Sequence, residues 1–179
     1  MSARVTTADH IMLVGFMGAG KSTVGRRLSR RLGRCFVETD DMIVALEGCS
    51  IPDIFRVSGE GRFRELEAAA LESLGLKRSD VVATGGGLPC REGRMERLRS
   101  LGTVIWLKGE FEEMYERARR AGERPMLAER SRAEVEALYR EREPYYRAAH
   151  LVIETQGLGV DQTVGRILQT LRQPHGTRV

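Results

Sequence analysis

Nine consecutive residues, Gly15-Phe16-Met17-Gly18-Ala19-Gly20-Lys21-Ser22-Thr23, carry the most specific chemistry in the chain. They satisfy the spacing G-x-x-x-x-G-K-[ST], a loop whose backbone N–H groups cradle phosphate oxygens. Gly15, Gly18 and Gly20 permit positive φ and a close approach of backbone to phosphate. Lys21 offers a cation to the β- and γ-phosphates, and the Ser22 hydroxyl offers an oxygen to Mg2+. Gly18, Ala19, Gly20, Lys21, Ser22 and Thr23 thus form the phosphate-binding set. Only three lysines occur in the chain, Lys21, Lys77 and Lys108, so one in this slot is hard to ascribe to chance. The expectation is a site for a nucleoside triphosphate.

The remaining candidates narrow the class. There is no asparagine, so an Asn-Lys-x-Asp guanine reader is excluded. The run Val81-Val82-Ala83-Thr84 leads into Gly85-Gly86-Gly87, where a motor or transport ATPase would carry an acid. The acids lie instead in Glu38-Thr39-Asp40-Asp41. An acid there, next to a long insertion, points to a small-molecule or nucleotide kinase. Asp40 has the acceptor-only chemistry needed to hold and align a hydroxyl. Asp41 is expected to cap the helix that follows. Three glycines at a strand's carboxyl end indicate a close backbone approach.

These groups need a scaffold. Short aliphatic runs predict strands at Ile11–Val14, Cys35–Val37, Val81–Ala83, Thr103–Leu107 and Leu151–Ile153, each buried on both faces. Helical stripes lie between and after them: Val24, Leu28 and Leu32; Leu66, Ala70, Leu71 and Leu74; Val160, Val164, Ile167, Leu168 and Leu171. Five strand–helix alternations imply an α/β fold with a parallel sheet and helices on both faces. Residues 41–74 form an insertion broken at Gly48, Pro52 and Ser58-Gly59, large enough for a substrate lobe. The basic stretch 117–132, broken at Arg124-Pro125, reads as a lid. Trp106 is expected in the core.

Composition sets outer limits. At 179 residues and 41% apolar content the chain suits one α/β domain, residues 1–179. No apolar run approaches the length of a membrane span, and Cys35, Cys49 and Cys90 form no CxxC pair, so a reducing cytoplasm is expected. The net charge of +4 is spread among arginines in mixed-sign stretches. That pattern favours an anionic small-molecule substrate over nucleic acid.

Beyond the phosphate loop, the motifs T-D-D at 39–41, Asp53-Ile54-Phe55, Gly59-Glu60-x-x-Phe63-Arg64-x-x-Glu67, Thr84-Gly85-Gly86-Gly87, Arg124-Pro125-Met126-Leu127 and Arg142-x-Pro144-x-Tyr146 follow in order. Together they resemble shikimate kinase, a family of the nucleoside monophosphate kinase superfamily. The resemblance implies a P-loop NTPase fold with five parallel strands in the order 2-3-1-4-5, a substrate-binding lobe at about 39–74 and a lid at about 117–132. It implies transfer of the γ-phosphoryl of ATP to the 3-hydroxyl of shikimate on the route to chorismate. Mg2+ would accompany ATP, held by Ser22 and, through water, by Glu38. By the same resemblance Asp40 binds the shikimate hydroxyls, and Arg64 and Arg142 hold its carboxylate with the Gly85–Gly87 backbone. Phe55 and Phe63 wall the ring. Lys21, Asp40 and Arg124 are the catalytic set, Arg124 reaching the transferring phosphoryl, while Arg117 or Arg120 lies against adenine. The protein would act as a monomer, without membrane or nucleic-acid partners.

Other readings stay open at the sequence level. Arg64 is followed by Glu65 and Glu67, so a surface ion pair would also account for it. Phe55 and Phe63 could be ordinary core residues of the lobe. The family usually has aspartate where Glu38 stands, which leaves room for a related kinase acting on another small hydroxylated acid. A non-catalytic ATP-binding module is the remaining alternative, against which intact Lys21, Ser22, Asp40 and Arg124 argue.

Overall fold

A computed structural model describes residues 9–75, 79–120 and 130–173. The segment 121–129, which contains Arg124 and most of the expected lid, lies outside the described residues. The elements run β1 (His10–Val14), α1 (Lys21–Leu32), β2 (Phe36–Glu38), α2 (Thr39–Glu47), α3 (Ile51–Leu74), β3 (Val81–Ala83), a 3-10 turn (Leu88–Cys90), α4 (Arg94–Leu101), β4 (Gly102–Lys108), α5 (Phe111–Arg120), α6 (Arg132–Tyr146), β5 (Leu151–Glu154) and α7 (Val160–Arg172).

The five strands form one sheet in the order β2-β3-β1-β4-β5, and every neighbouring pair is parallel. This is the topology that the family resemblance implied. β1 and β3 are buried at every position, and β4 at every position but its ends. β2 is half-buried throughout, and Val152 of β5 is exposed. The expectation of strands covered on both faces therefore fails for the two outer strands, because each lies at an edge of the sheet with a neighbour on one side only.

Register decides what meets at the carboxyl ends. Leu13 pairs with Ala83, and Ala83 pairs with Glu38. Gly15, Thr84 and Thr39 therefore leave the sheet along one edge, where open α/β sheets bind ligands.

α1 begins after Gly20, whose φ of 85° is left-handed, and ends at Gly33, also left-handed at 64°. Its Val24 and Leu28 are buried, as the four-residue spacing predicts, and Leu32 packs at the margin of the core. In α7, Val164 and Ile167 are buried while Val160, in the first turn, is exposed. Trp106 lies in the main core.

The insertion has a smaller core of its own, built from Ile43, Ile54, Phe63, Leu66 and Ala70. Its breaks fall where the residue types require. Gly48 ends α2 with a left-handed φ of 76°, and Pro52 sits in the first turn of α3, where a missing N–H costs nothing. Gly59 interrupts α3 at φ 75° and ψ 179°, a conformation open essentially to glycine alone.

Candidate active site

The phosphate loop has the predicted backbone. Gly15, Gly18 and Gly20 have φ of 144°, 77° and 85°. At Gly18 a side-chain carbon would collide with the backbone carbonyl of Met114 in α5, so closeness as well as dihedral demands glycine there. Ala19 is buried, its N–H donating to the Phe16 carbonyl oxygen at 3.2 Å. Lys21 is almost buried and donates to the Gly15 and Phe16 carbonyl oxygens at 2.7 and 2.9 Å. The cation is thereby held to the loop that it serves. Ser22 and Thr23 are exposed at the start of α1, beside the positive end of the helix.

A cleft of about 310 Å3 opens on this loop. Gly18, Gly20, Lys21, Ser22, Thr23 and Arg117 line its donor side, and Glu38, Asp40, Thr84, Gly85 and Gly86 also line it. Arg120, at the end of α5, does not; of the two candidates for the adenine contact, Arg117 is the one at the cleft. Arg117 also pairs with Glu113 at 2.9 Å. A wider depression of about 490 Å3, between Arg91–Glu96 and Pro144–Ala148, contains none of these groups.

The glycine turn is where the predicted acceptor residues meet. A side-chain carbon at Gly85 would lie 2.6 Å from Asp40 Oδ1, and one at Gly87 would lie 3.2 Å from Arg142 Nη2. At Gly86 it would stand 3.5 Å from the Gly15 carbonyl oxygen and 3.8 Å from Arg142 Nη1. Asp40, Arg142 and the phosphate loop thus surround one turn of backbone. Thr39, fully buried, accepts the Gly85 N–H on its hydroxyl oxygen at 2.9 Å and fixes the near end of that turn.

Arg64, Phe55 and Phe63 stand outside the cleft lining, in the lobe. Arg64 donates to Glu67 at 2.8 Å through Nη1 and to Glu60 at 3.0 and 2.8 Å through Nε and Nη2. The ion-pair reading of Arg64 is therefore realised, yet with Glu67 and Glu60 rather than with Glu65, which pairs with Arg62. Phe63 belongs to the lobe core, while Phe55 is exposed and meets it with ring centroids 4.7 Å apart. Only Phe55 has a free face to offer a ligand ring.

Asp41 does not cap α2. β2 runs into α2 without a loop, so Glu38 occupies the cap position with no capping bond from its side chain, and Asp40 and Asp41 fall in the first helical turn. There their charges still complement the helix dipole. Glu38 reaches Arg26 at 3.5 Å as well as the cleft.

Glu67, quoted in the lobe motif without a site role, is a buried acid beside the acceptor residues. The residue is 3% exposed, and burial pushes its pKa above the ordinary value, partly offset by Arg64, with the charge of Asp40 adding to the rise. The available signal was an acid three residues after an arginine on a helix, which is ambiguous by itself.

Known proteins resemble this chain over nearly all of its length. The family model for shikimate kinase matches residues 17–172. The chain belongs to the shikimate kinase family. Shikimate kinase from Chromobacterium violaceum is 42% identical over 178 residues, covering 98% of this chain and 97% of that protein. Shikimate kinase from Persephonella marina is also 42% identical, over 163 residues, with 91% and 99% covered. Among solved structures, shikimate kinase from Acinetobacter baumannii in complex with shikimate superposes with a TM-score of 0.85 at 38% identity, covering 91% of this chain and 92% of that one. As a member of the shikimate kinase family, the protein is an ATP-dependent kinase of the P-loop class.

Proposed function

We propose that the protein transfers the γ-phosphoryl group of ATP to the 3-hydroxyl of shikimate, giving shikimate 3-phosphate and ADP. The observation that carries this reading is the glycine turn Gly85–Gly87, which has Asp40 at one end, Arg142 at the other and the phosphate loop against its middle. A carboxylated, polyhydroxylated acceptor needs that combination of an acid for a hydroxyl and a guanidinium for its carboxylate.

In this reading Asp40 accepts a hydrogen bond from the attacking hydroxyl, aligns it toward the γ-phosphorus and takes its proton as the new P–O bond forms. Arg142 and the turn's backbone hold the carboxylate, and Arg64 supplies further positive charge from the lobe. Phe55 covers the ring. Lys21 neutralises charge on the β- and γ-phosphates, so the chain's contribution is chiefly alignment and electrostatics. Arg117 lies against adenine. Arg124, outside the described residues, keeps its role at the transferring phosphoryl on the strength of its motif.

Among the described residues no group of three or more His, Cys, Asp or Glu gathers to cage a metal. Ser22 and Glu38, hard oxygen donors at one cleft, suit a Mg2+ ion that keeps water and phosphate oxygens as its other ligands. Such an ion supplies charge neutralisation at the phosphates. We take the protein to act as a monomer in the cytoplasm; no helix among the described residues is long and apolar enough to cross a membrane.

The test is ADP release from MgATP with and without shikimate, with gluconate and a nucleoside monophosphate as controls. Stimulation by shikimate alone is expected. Asp40→Asn should lower turnover by about 10²-fold or more, and Arg142→Ala should raise the shikimate KM by about tenfold or more. Equal stimulation by gluconate, or none by shikimate with ATP still bound, would reject the acceptor assignment.

A further inference from the structure

The Gly86 carbonyl oxygen receives two hydrogen bonds from side chains that the reaction does not otherwise use. Tyr146, 60 residues along the chain, donates its phenol O–H at 2.7 Å, and the Cys90 thiol donates at 3.6 Å. Tyr146 is completely buried, and burial holds its phenol well above the ordinary value, so it remains an O–H donor over the working pH range. A phenol buried this deeply has few ways to satisfy its hydroxyl; here it donates to one carbonyl of the acceptor turn, with the Cys90 thiol and the Arg142 guanidinium also beside it.

The geometry of the peptide unit gives that bond a consequence. In a planar trans peptide the carbonyl and the following N–H point in opposite directions. Anchoring the Gly86 oxygen on Tyr146 therefore aims the Gly87 N–H the other way. Neither the Gly86 nor the Gly87 N–H donates to any acceptor among the described residues. The Leu88 N–H on the Gly85 carbonyl oxygen at 3.2 Å and the Cys90 N–H on that of Gly87 at 3.1 Å close the turn, but with no Cβ at Gly86 or Gly87 the peptide plane between them could still rotate.

Helix α6 carries the anchor and the arginine together. Val135, Tyr139, Arg142 and Tyr146 recur at helical spacing. Tyr139 meets Phe16 of the phosphate loop with centroids 5.2 Å apart, Arg142 lies over Gly87, and Tyr146 holds Gly86. One rigid face thus touches the donor loop and the acceptor turn.

We propose that Tyr146 is a positioning residue for acceptor binding: its hydroxyl orients the Gly86–Gly87 peptide so that the Gly87 N–H and Arg142 present parallel donors to the acceptor's carboxylate. This rests on the acceptor assignment made above. Cys90 is a weaker second donor to the same carbonyl.

The experiment compares the wild-type chain with Tyr146→Phe, Cys90→Ala and the double variant. The readouts are the KM for shikimate and for ATP, kcat, and the shikimate Kd by titration calorimetry. Tyr146→Phe keeps the ring and its packing against Trp106, whose centroid is 6.0 Å away. It should raise the shikimate KM and Kd by roughly tenfold, with the ATP KM and kcat changed by less than about threefold. Cys90→Ala should raise the shikimate KM by about two- to threefold, and the double variant should exceed the product of the two, because one carbonyl loses both donors. If Tyr146→Phe lowers thermal stability while shikimate affinity stays within twofold, the phenol is a structural tie and the proposal is wrong. A parallel loss of ATP and shikimate affinity also overturns it. Should Tyr146→Phe fail to fold, Cys90→Ala alone decides: an acceptor-specific KM rise supports the proposal, and an unchanged or unselective one rejects it. A wild type that ignores shikimate would instead reject the acceptor assignment itself.

Discussion

At Glu67 two effects oppose each other: burial disfavours the carboxylate, and Arg64 at 2.8 Å favours it. Burial wins, so the folded chain holds this proton to a higher pH than the unfolded chain does. The contribution of this carboxyl to stability is therefore greatest below its ordinary value of 4.5 and is lost as pH rises through the raised folded value. Urea unfolding at several pH values should show the wild type losing stability relative to Glu67→Gln across that window and running parallel to it above. Gly85 makes a sharper residue-level test. A methyl group there would stand 2.6 Å from Asp40 Oδ1 and must displace the carboxylate. Gly85→Ala should raise the acceptor KM and lower kcat by about tenfold or more, with ATP affinity unchanged by isothermal titration. In the proposed reading Glu38 serves the metal. Glu38→Ala should shift the Mg2+ concentration needed for half-maximal turnover upward by several-fold; an unchanged Mg2+ dependence would remove it from that role.

Elements placed these residues, and α3 and α6 show how. α3 changes direction at Gly59, just before Glu60 and the Phe63-Arg64 pair, so the break sets where Arg64 enters the lobe. An alanine at 59 meets no atom within 4 Å, yet its backbone would be forced into a region that costs about 1–3 kcal/mol. Gly59→Ala should therefore lower the denaturation midpoint and raise the shikimate KM, leaving ATP binding intact. The positions of the helix breaks were readable in advance, because Gly48, Pro52 and Gly59 act through local dihedrals. The start of α2 was not. A capping role for Asp41 assumed a loop after β2, and register with β3 extends the strand to Glu38 instead. In α6, Pro144 and Arg142 form a visible motif, but the spacing of Tyr146 gave no hint that its partner lay on another loop.

On the scale of the whole molecule, the described residues pack around two centres of unequal size. The sheet core extends from β1 through β4 to α7, while the lobe rests on Ile43, Ile54, Phe63, Leu66 and Ala70. Opening free energy scales with buried apolar contact, so amide exchange should be slowest in β1, β3 and β4 and faster in α2 and the first part of α3. Uniform protection across lobe and sheet would contradict this division. Most ion pairs on the surface, such as Arg27–Asp161 and Arg97–Glu72, are well exposed and contribute little individually. What the amino-acid order determined by itself was local: the phosphate loop with its three positive-φ glycines, the break points of the lobe, and the central strands, whose unbroken aliphatic runs need no partner to be read. Tertiary structure decided everything that depends on distance along the chain. It made β2 and β5 edges, gave Arg64 to Glu60 and Glu67, set Asp40 and Arg142 at opposite ends of one glycine turn, and hung that turn on Thr39 and Tyr146. The physical reason is that spacing encodes dihedral preference and helical phase, whereas a hydrogen bond between residues 60 positions apart exists only once the sheet register has brought their elements together.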